Sequence, residues 1–286
     1  METKLQVASC RLQVFQSLRQ RFGATFNLPR AFTLVEMLVV ISILGLLAAL
    51  AVPAIKNLGK SNINISASRQ LLDDVGRARQ LAMSQRTTVY MVFVPTNFWG
   101  NAAWLGSLTS AQLTAVTNLL DKQLAGYAFY AKGALGDQPG NHRPHYFGEW
   151  KSLPDGTFIA AQTFAGTNSI YDSILNVIYP VSKFNYTTAI PFPTENSANG
   201  VSLPYIAFNY LGQLTDDGTT MANSHEYIPL ARGSVVPAID PSTKALQLGA
   251  ADVSESPPGN STSSAYNLVE IDPLTGRATL KFQKAQ

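Results

Sequence analysis

The sequence predicts an α+β chain in which one long N-terminal α-helix, part membrane-spanning and part amphipathic, packs on an antiparallel β-sheet head. Three observations predict it. From Met37 to Ile55 run 19 residues without a charge, MLVVISILGLLAALAVPAI. Beyond them Leu71, Val75, Ala78 and Ala82 recur at spacings of four, three and four, which is one face of a helix, with Leu72 and Leu81 beside them. After Arg86 the period changes, and β-branched and aromatic segments alternate with turn residues. The chain thus divides into a basic leader over 1–31, a long helix over 32–86 with its membrane part at 32–55, and a β-rich head with loop insertions over 87–286.

The leader carries Lys4, Arg11, Arg19, Arg21 and Arg30 against Glu2, so the other 255 residues hold 16 basic and 17 acidic side chains. A near-neutral body argues against nucleic-acid binding driven by bulk charge, which needs a dense Lys/Arg footprint. Of the 286 residues 46% are hydrophobic, enough for a sizeable core, and only 14% are charged, against about 25% in soluble domains. That balance suits an extracytoplasmic surface. Cys10 is the single cysteine, which excludes an intramolecular disulfide, a cysteine zinc site or an iron–sulfur cluster. Val7-Ala8-Ser9-Cys10 has the letters of a lipoprotein cleavage box, but no apolar stretch precedes it.

At 1.5 Å per helical residue, the 19 uncharged residues reach about the 30 Å of a bilayer's hydrocarbon core. The basic residues lie before the run, so the positive-inside rule leaves the N-terminus in the cytoplasm and sends everything after Lys56 across the membrane. A buried core helix is the competing reading of the same run. Leu47-Ala48-Ala49 or Ala49-Leu50-Ala51 would serve as a signal-peptide cut, yet the helical pattern continues past Pro53 into 61–85. The two halves therefore form one rod of about 50 residues, bent at Pro53 and loosened at Gly59. Glu36 sits against the apolar stretch, where a carboxylate costs up to about 2.5–3.5 kcal/mol at the bilayer centre and less at its edge. It is either solvated at the cytoplasmic interface or kept for a partner.

In the head, Thr87–Val94 reads as a strand ended by Pro95. Leu113, Val116, Leu120 and Leu124 predict a short helix capped by Thr109 or Ser110. Strands follow at Tyr127–Tyr130, at Thr157–Ala160 after the Pro154-Asp155-Gly156 turn, at Tyr205–Leu214 and at Glu226–Ala231. Asn267–Ile271 and Arg277–Phe282 flank Asp272-Pro273-Leu274-Thr275-Gly276 as a hairpin. Segments 95–108, 132–150, 161–200 and 240–264, rich in Gly, Pro, Ser and Asn, read as insertions.

Arg30-Ala31-Phe32-Thr33-Leu34-Val35-Glu36-Met37 and the apolar run after it resemble the prepilin processing motif of type IV pilins and type II secretion pseudopilins. The resemblance implies a pilin-like fold. It also implies that a membrane-embedded prepilin peptidase removes the leader by cutting between Ala31 and Phe32 and methylates Phe32. Where the family carries Gly before the cut, this chain has Ala31, the next smallest side chain. Pro53 matches a helix-bending proline of many pilins. By the same resemblance Glu36, fifth in the mature chain, meets the methylated amino group of Phe32 on a neighbouring subunit. The implied partners are the peptidase, other pilin or pseudopilin subunits, an inner-membrane assembly platform and membrane lipid; no cofactor is implied. Arg77–Ala82, Leu153–Gly156, Ala207–Gly212 and Thr275–Arg277 are similar to the H-type minor pseudopilins or their FimT-like relatives. FimT-like minor pilins hold DNA with a basic C-terminal region, to which Arg277, Lys281 and Lys284 correspond.

Catalytic chemistry has few candidates. His142-Arg143-Pro144-His145 with Glu149 has the ingredients of a metal site, but Pro144 prevents the helix that would align the histidines. Ser224, His225 and Glu226 are adjacent, whereas triad members converge from separate loops. Asp216-Asp217-Gly218 offers oxygens to calcium, or simply forms a turn. The expected function is structural: a minor subunit of a secretion or pilus filament, single-pass in the inner membrane with its head outside the cytoplasm, and no enzyme. The alternative is a single-pass anchored binding protein whose head recognises a glycan, a surface or DNA, with Phe98, Trp99 and Trp104 as contact aromatics.

Overall fold

Helix α1 runs unbroken from Leu34 to Gln85, 52 residues, in the computed structural model. The structure describes residues 33–96, 98–100, 102–138, 142–166, 168–172, 175–197, 200–262 and 267–282. Thr33 starts the helix: the Glu36 N–H donates to its Oγ1 (3.2 Å) and the Met37 N–H to its carbonyl (3.1 Å). The chain divides into two compact units between Lys56 and Asn57.

In the first unit the apolar side chains from Leu34 to Leu47 lie open on every side of the helix, each between 42% and 81% exposed. A helix apolar all round is stable only when lipid or other protein surrounds it. Among the described residues no helix is long and apolar enough to cross a membrane; residue 32 and the side chains of 50–55, which belong to the span expected from sequence, lie outside them. Helical backbone continues through Pro53 and Gly59.

The second unit is built on the other half of α1. Leu71, Val75, Ala78 and Ala82 are fully buried, as their spacing predicts, and Leu72 and Leu81 flank them half-buried. They pack on two antiparallel sheets. The larger has the order β11-β10-β1-β2-β3, with β4 also paired to β2. Its strands are β1 (Val89–Phe93), β2 (Gly126–Ala131), β3 (His145–Tyr146), β4 (Lys151–Ser152), β10 (Tyr205–Phe208) and β11 (Leu214–Thr215). The smaller, β13-β12-β14-β15 with β5 on β12, contains β5 (Thr157–Ile159), β12 (Glu226–Val236), β13 (Asp252–Glu255), β14 (Asn267–Ile271) and β15 (Ala278–Phe282). The chain is thus α+β, with one core formed by the helix stripe, Met91, Phe93, Phe129 and Phe208 of one sheet, and Ile228, Leu230, Val269 and Ile271 of the other.

Strand β1 is buried on both faces. Its alternate residues Tyr90 and Val92 join a second core with Trp99, Trp104, Val116, Leu120, Tyr205 and Phe192. The 95–122 segment covers that outer face with α2 (Ala102–Gly106) and α3 (Ser110–Thr117). Trp99 and Trp104 are therefore core residues, 2% and 8% exposed, not contact aromatics. The side chain of Phe98 lies outside the described residues.

Four sequence readings change. The helix expected through Leu124 ends at Thr117 and gives way to a 3₁₀ turn at Leu120–Lys122; its N-cap is Thr109, with Gln112 closing a capping box. The strand expected over Tyr205–Leu214 is two strands, because the Asn209 side chain accepts from the Leu211 and Gln213 N–H groups and folds the chain back at Gly212 (φ +78°). Glu226–Ala231 extends to Val236, since β5 and β13 supply pairing partners along it. The insertions are also structured: they hold a short helix, α4 (Gln162–Ala165), and the hairpins β6–β7 (Asn168–Asp172, Val177–Val181) and β8–β9 (Ala189–Pro191, Gly200–Ser202). The C-terminal hairpin forms as read, with Ile271 opposite Ala278. Gly276 (φ +62°) closes its turn against the Gly212 carbonyl, where a Cβ would collide.

Candidate functional site

The sequence places the processing site before the first turn of α1, and there Ala31 and Phe32 lie outside the described residues. Glu36 is exposed in that first turn, three residues after the Thr33 cap. A carboxylate there is favoured by the helix dipole. Among the described residues no cation lies within ion-pair distance of it.

The sequence candidates in the head are dispersed. Arg277 is exposed just before β15. The Lys281 Nζ is 3.1 Å from Glu270, which also accepts from the Tyr227 and Thr279 hydroxyls (both 3.2 Å) and lies 3.2 Å from His225. Burial works to raise the Glu270 pKa, but the Lys281 contact and the hydroxyls outweigh it and hold the carboxyl below its ordinary range. One charge of the basic strip is thus internally neutralised; Lys284 lies outside the described residues. His145 pairs with Glu195 at 3.4 Å. Among the described residues no group of three or more His, Cys, Asp or Glu side chains converges as a metal site.

Asp217 is committed to its own turn. It accepts from the Thr219 and Thr220 N–H groups (2.8 Å each) and the Thr220 hydroxyl (2.7 Å), and these bonds push its pKa far down. Asp216 faces another way. Its carbonyl is held by Asn185 Nδ2 (2.6 Å) and the Tyr205 hydroxyl (3.2 Å), and the residue, itself exposed, lies at a cavity of about 450 Å³ shared with Lys183, Tyr186, Ser224 and Glu226. Ser224, His225 and Glu226 do not make a triad: His225 turns to Glu270, while Ser224 and Glu226 line the cavity. Burial, aided by the Asp216 charge, pushes the Glu226 pKa up to about 8.

A polar cluster the periodicity argument passed over sits beneath α1. Asp74 is 5% exposed, 2.5 Å from Lys151 Nζ, and accepts from the Tyr127 hydroxyl at 2.6 Å. Gln70 Nε2 donates to that hydroxyl and to the Ser152 carbonyl, both at 2.8 Å. Burial, reinforced by Asp74, pushes the Tyr127 pKa far up. The signal is present in the sequence: Asp74 falls three residues after Leu71 and four before Ala78, on the apolar stripe.

Residues 27–52 match the family model described as the prokaryotic N-terminal methylation motif. No curated protein and no solved structure matches the chain. The match covers the sequence-predicted cut, the first helical turn with Glu36, and the start of the apolar run.

Proposed function

We propose that this chain, a type IV pilin-like protein processed as a prepilin, is a minor subunit of a type II secretion-like or pilus filament and a substrate of an enzyme rather than an enzyme. The observation that carries the reading is the conjunction of the methylation motif at 27–52 with a helix whose apolar side chains from Leu34 to Leu47 are exposed among the described residues. A leader ending at Ala31 would leave Phe32 as the methylated first residue. The helix over 32–55 would anchor the subunit in the inner membrane, with the basic leader inside and the head outside. In the filament, neighbouring helices take the place of lipid around residues 34–47. Their packing supplies cohesion, and Glu36 sets register by meeting the Phe32 amino group of the next subunit, since an open carboxylate in an apolar bundle is stable only when paired. An inner-membrane assembly platform would extract the subunit into the polymer.

Mass spectrometry of the mature N-terminus tests the processing step. The expected product begins with N-methylated Phe32; an intact Met1, or a product beginning near Ala51, would overturn it. Glu36→Ala is expected to leave membrane insertion unchanged and to abolish incorporation into filaments, measured by fractionating sheared filaments from membranes. Normal incorporation would remove the register role.

A further inference from the structure

We propose that the head cavity beside β12 binds a compact organic cation, an alkylammonium or guanidinium group, between the carboxyl groups of Glu226 and Asp216. The cavity's 450 Å³ lies in the range of small-ligand sites. Glu226 Oε1 is buried and accepts no hydrogen bond among the described residues. A buried acceptor without a donor costs roughly 1–3 kcal/mol, so this oxygen is a place where an incoming N–H gains. Asp216 is near enough for its charge to oppose ionisation of Glu226. A cation between two like carboxyls removes that opposition.

The chain's own cation does not do this. Lys183 stands at the same cavity with its Nζ 4.6 Å from the centre of the Tyr186 ring, and it makes no ion pair with Asp216 or Glu226. Tyr186 and Tyr205 are the other titratable groups lining the space; the Tyr186 hydroxyl donates to the Phe164 carbonyl, and the Tyr205 hydroxyl to Thr188 and the Asp216 carbonyl. Two carboxyls are few for calcium, which takes six to eight oxygens, and no third acid or histidine converges there among the described residues. The planar fork of a guanidinium or the three donors of an ammonium match a carboxyl pair directly. With its raised pKa Glu226 is protonated at neutral pH. Binding therefore breaks the carboxyl O–H, sends that proton to the buffer, and leaves a carboxylate accepting from the ligand N–H.

The test is calorimetric titration of the full-length chain in detergent with agmatine and with a capped arginine peptide, in phosphate and in Tris buffer at pH 7. Saturable binding with about one proton released per site is expected. Glu226→Gln and Asp216→Asn should each weaken it by about tenfold or more while thermal unfolding shows both variants folded. Tighter binding of agmatine identifies a small free cation as the ligand; tighter binding of the peptide identifies a basic side chain of a partner. The proposal is overturned by absence of saturable heat from either probe, by unchanged affinity in Glu226→Gln, or by saturable calcium binding that this substitution abolishes.

Discussion

Asp74 and Glu226 are both acids with buried carboxyl oxygens, and their surroundings give them opposite energetics. Asp74 is matched: Lys151 and the Tyr127 hydroxyl satisfy its two oxygens. Removing it leaves the buried Tyr127 hydroxyl bonded only through Gln70, so Asp74→Ala should lower unfolding free energy by about 1–3 kcal/mol, measured by denaturant titration. Lys151, more than a third exposed, can turn to water, which keeps the loss in that range. Glu226 has one buried oxygen, Oε1, with no donor among the described residues. Its native pKa of about 8 stands above the ordinary carboxylate value, so between those limits the folded chain holds more protons than the unfolded one, and stability falls as pH rises from about 4 to 8. Glu226→Gln should remove that fall. The variant is expected to match the parent near pH 4 and to exceed it by roughly a few kcal/mol at pH 9; equal pH profiles in thermal melts would refute the burial argument.

The long helix is where sequence and structure correspond most directly. A period of 3.6 in apolar residues puts Leu71, Val75, Ala78 and Ala82 on one line, and each is fully buried in the core the helix shares with the two sheets. Leu71→Ala leaves a void in close-packed surroundings and should cost about 2–5 kcal/mol in unfolding free energy, whereas truncating exposed Arg69, two residues before it, should cost under about 0.5. The C-terminal hairpin was equally legible, since Asp272-Pro273-Leu274-Thr275-Gly276 carries turn chemistry in its own letters: Asp272 accepts from the Thr275 N–H and hydroxyl. The 209–212 turn was not read, although Asn209 and Gly212 stand in it, because Tyr205–Phe208 before and Leu214 after share one hydrophobic character. An Asx turn shows itself only through the hydrogen bonds it makes.

For the whole chain, the processing motif and the head answer to different demands. Residues 27–52 match a methylation motif, and the processing proposed there makes short-range demands: a small residue before the cut, a cap, a carboxylate and an apolar run. Restoring the smallest side chain, Ala31→Gly, should raise the processed fraction of newly made chain by about twofold or more, read by pulse–chase gel mobility, if the residue before the cut limits peptidase access. An unchanged fraction would show that Ala31 is no obstacle. The head's demands are long-range. Its insertions carry the Trp99 and Trp104 lid of the second core and line the cavity at 182–186, roles that glycine- and proline-rich composition does not announce.

The amino-acid sequence alone determined the α+β class, the helix and its buried stripe, the order of the principal strands, the last hairpin and the residues of the processing motif, because each is written in patterns spanning fewer than about 20 residues. Tertiary structure alone decided that Trp99 and Trp104 face inward, that Lys281 is claimed by Glu270, that Asp217 serves its own turn, and that Asp216 and Glu226 meet at one cavity. Those outcomes depend on which strands lie side by side, and that pairing brings together residues whose separation along the chain carries no period to read.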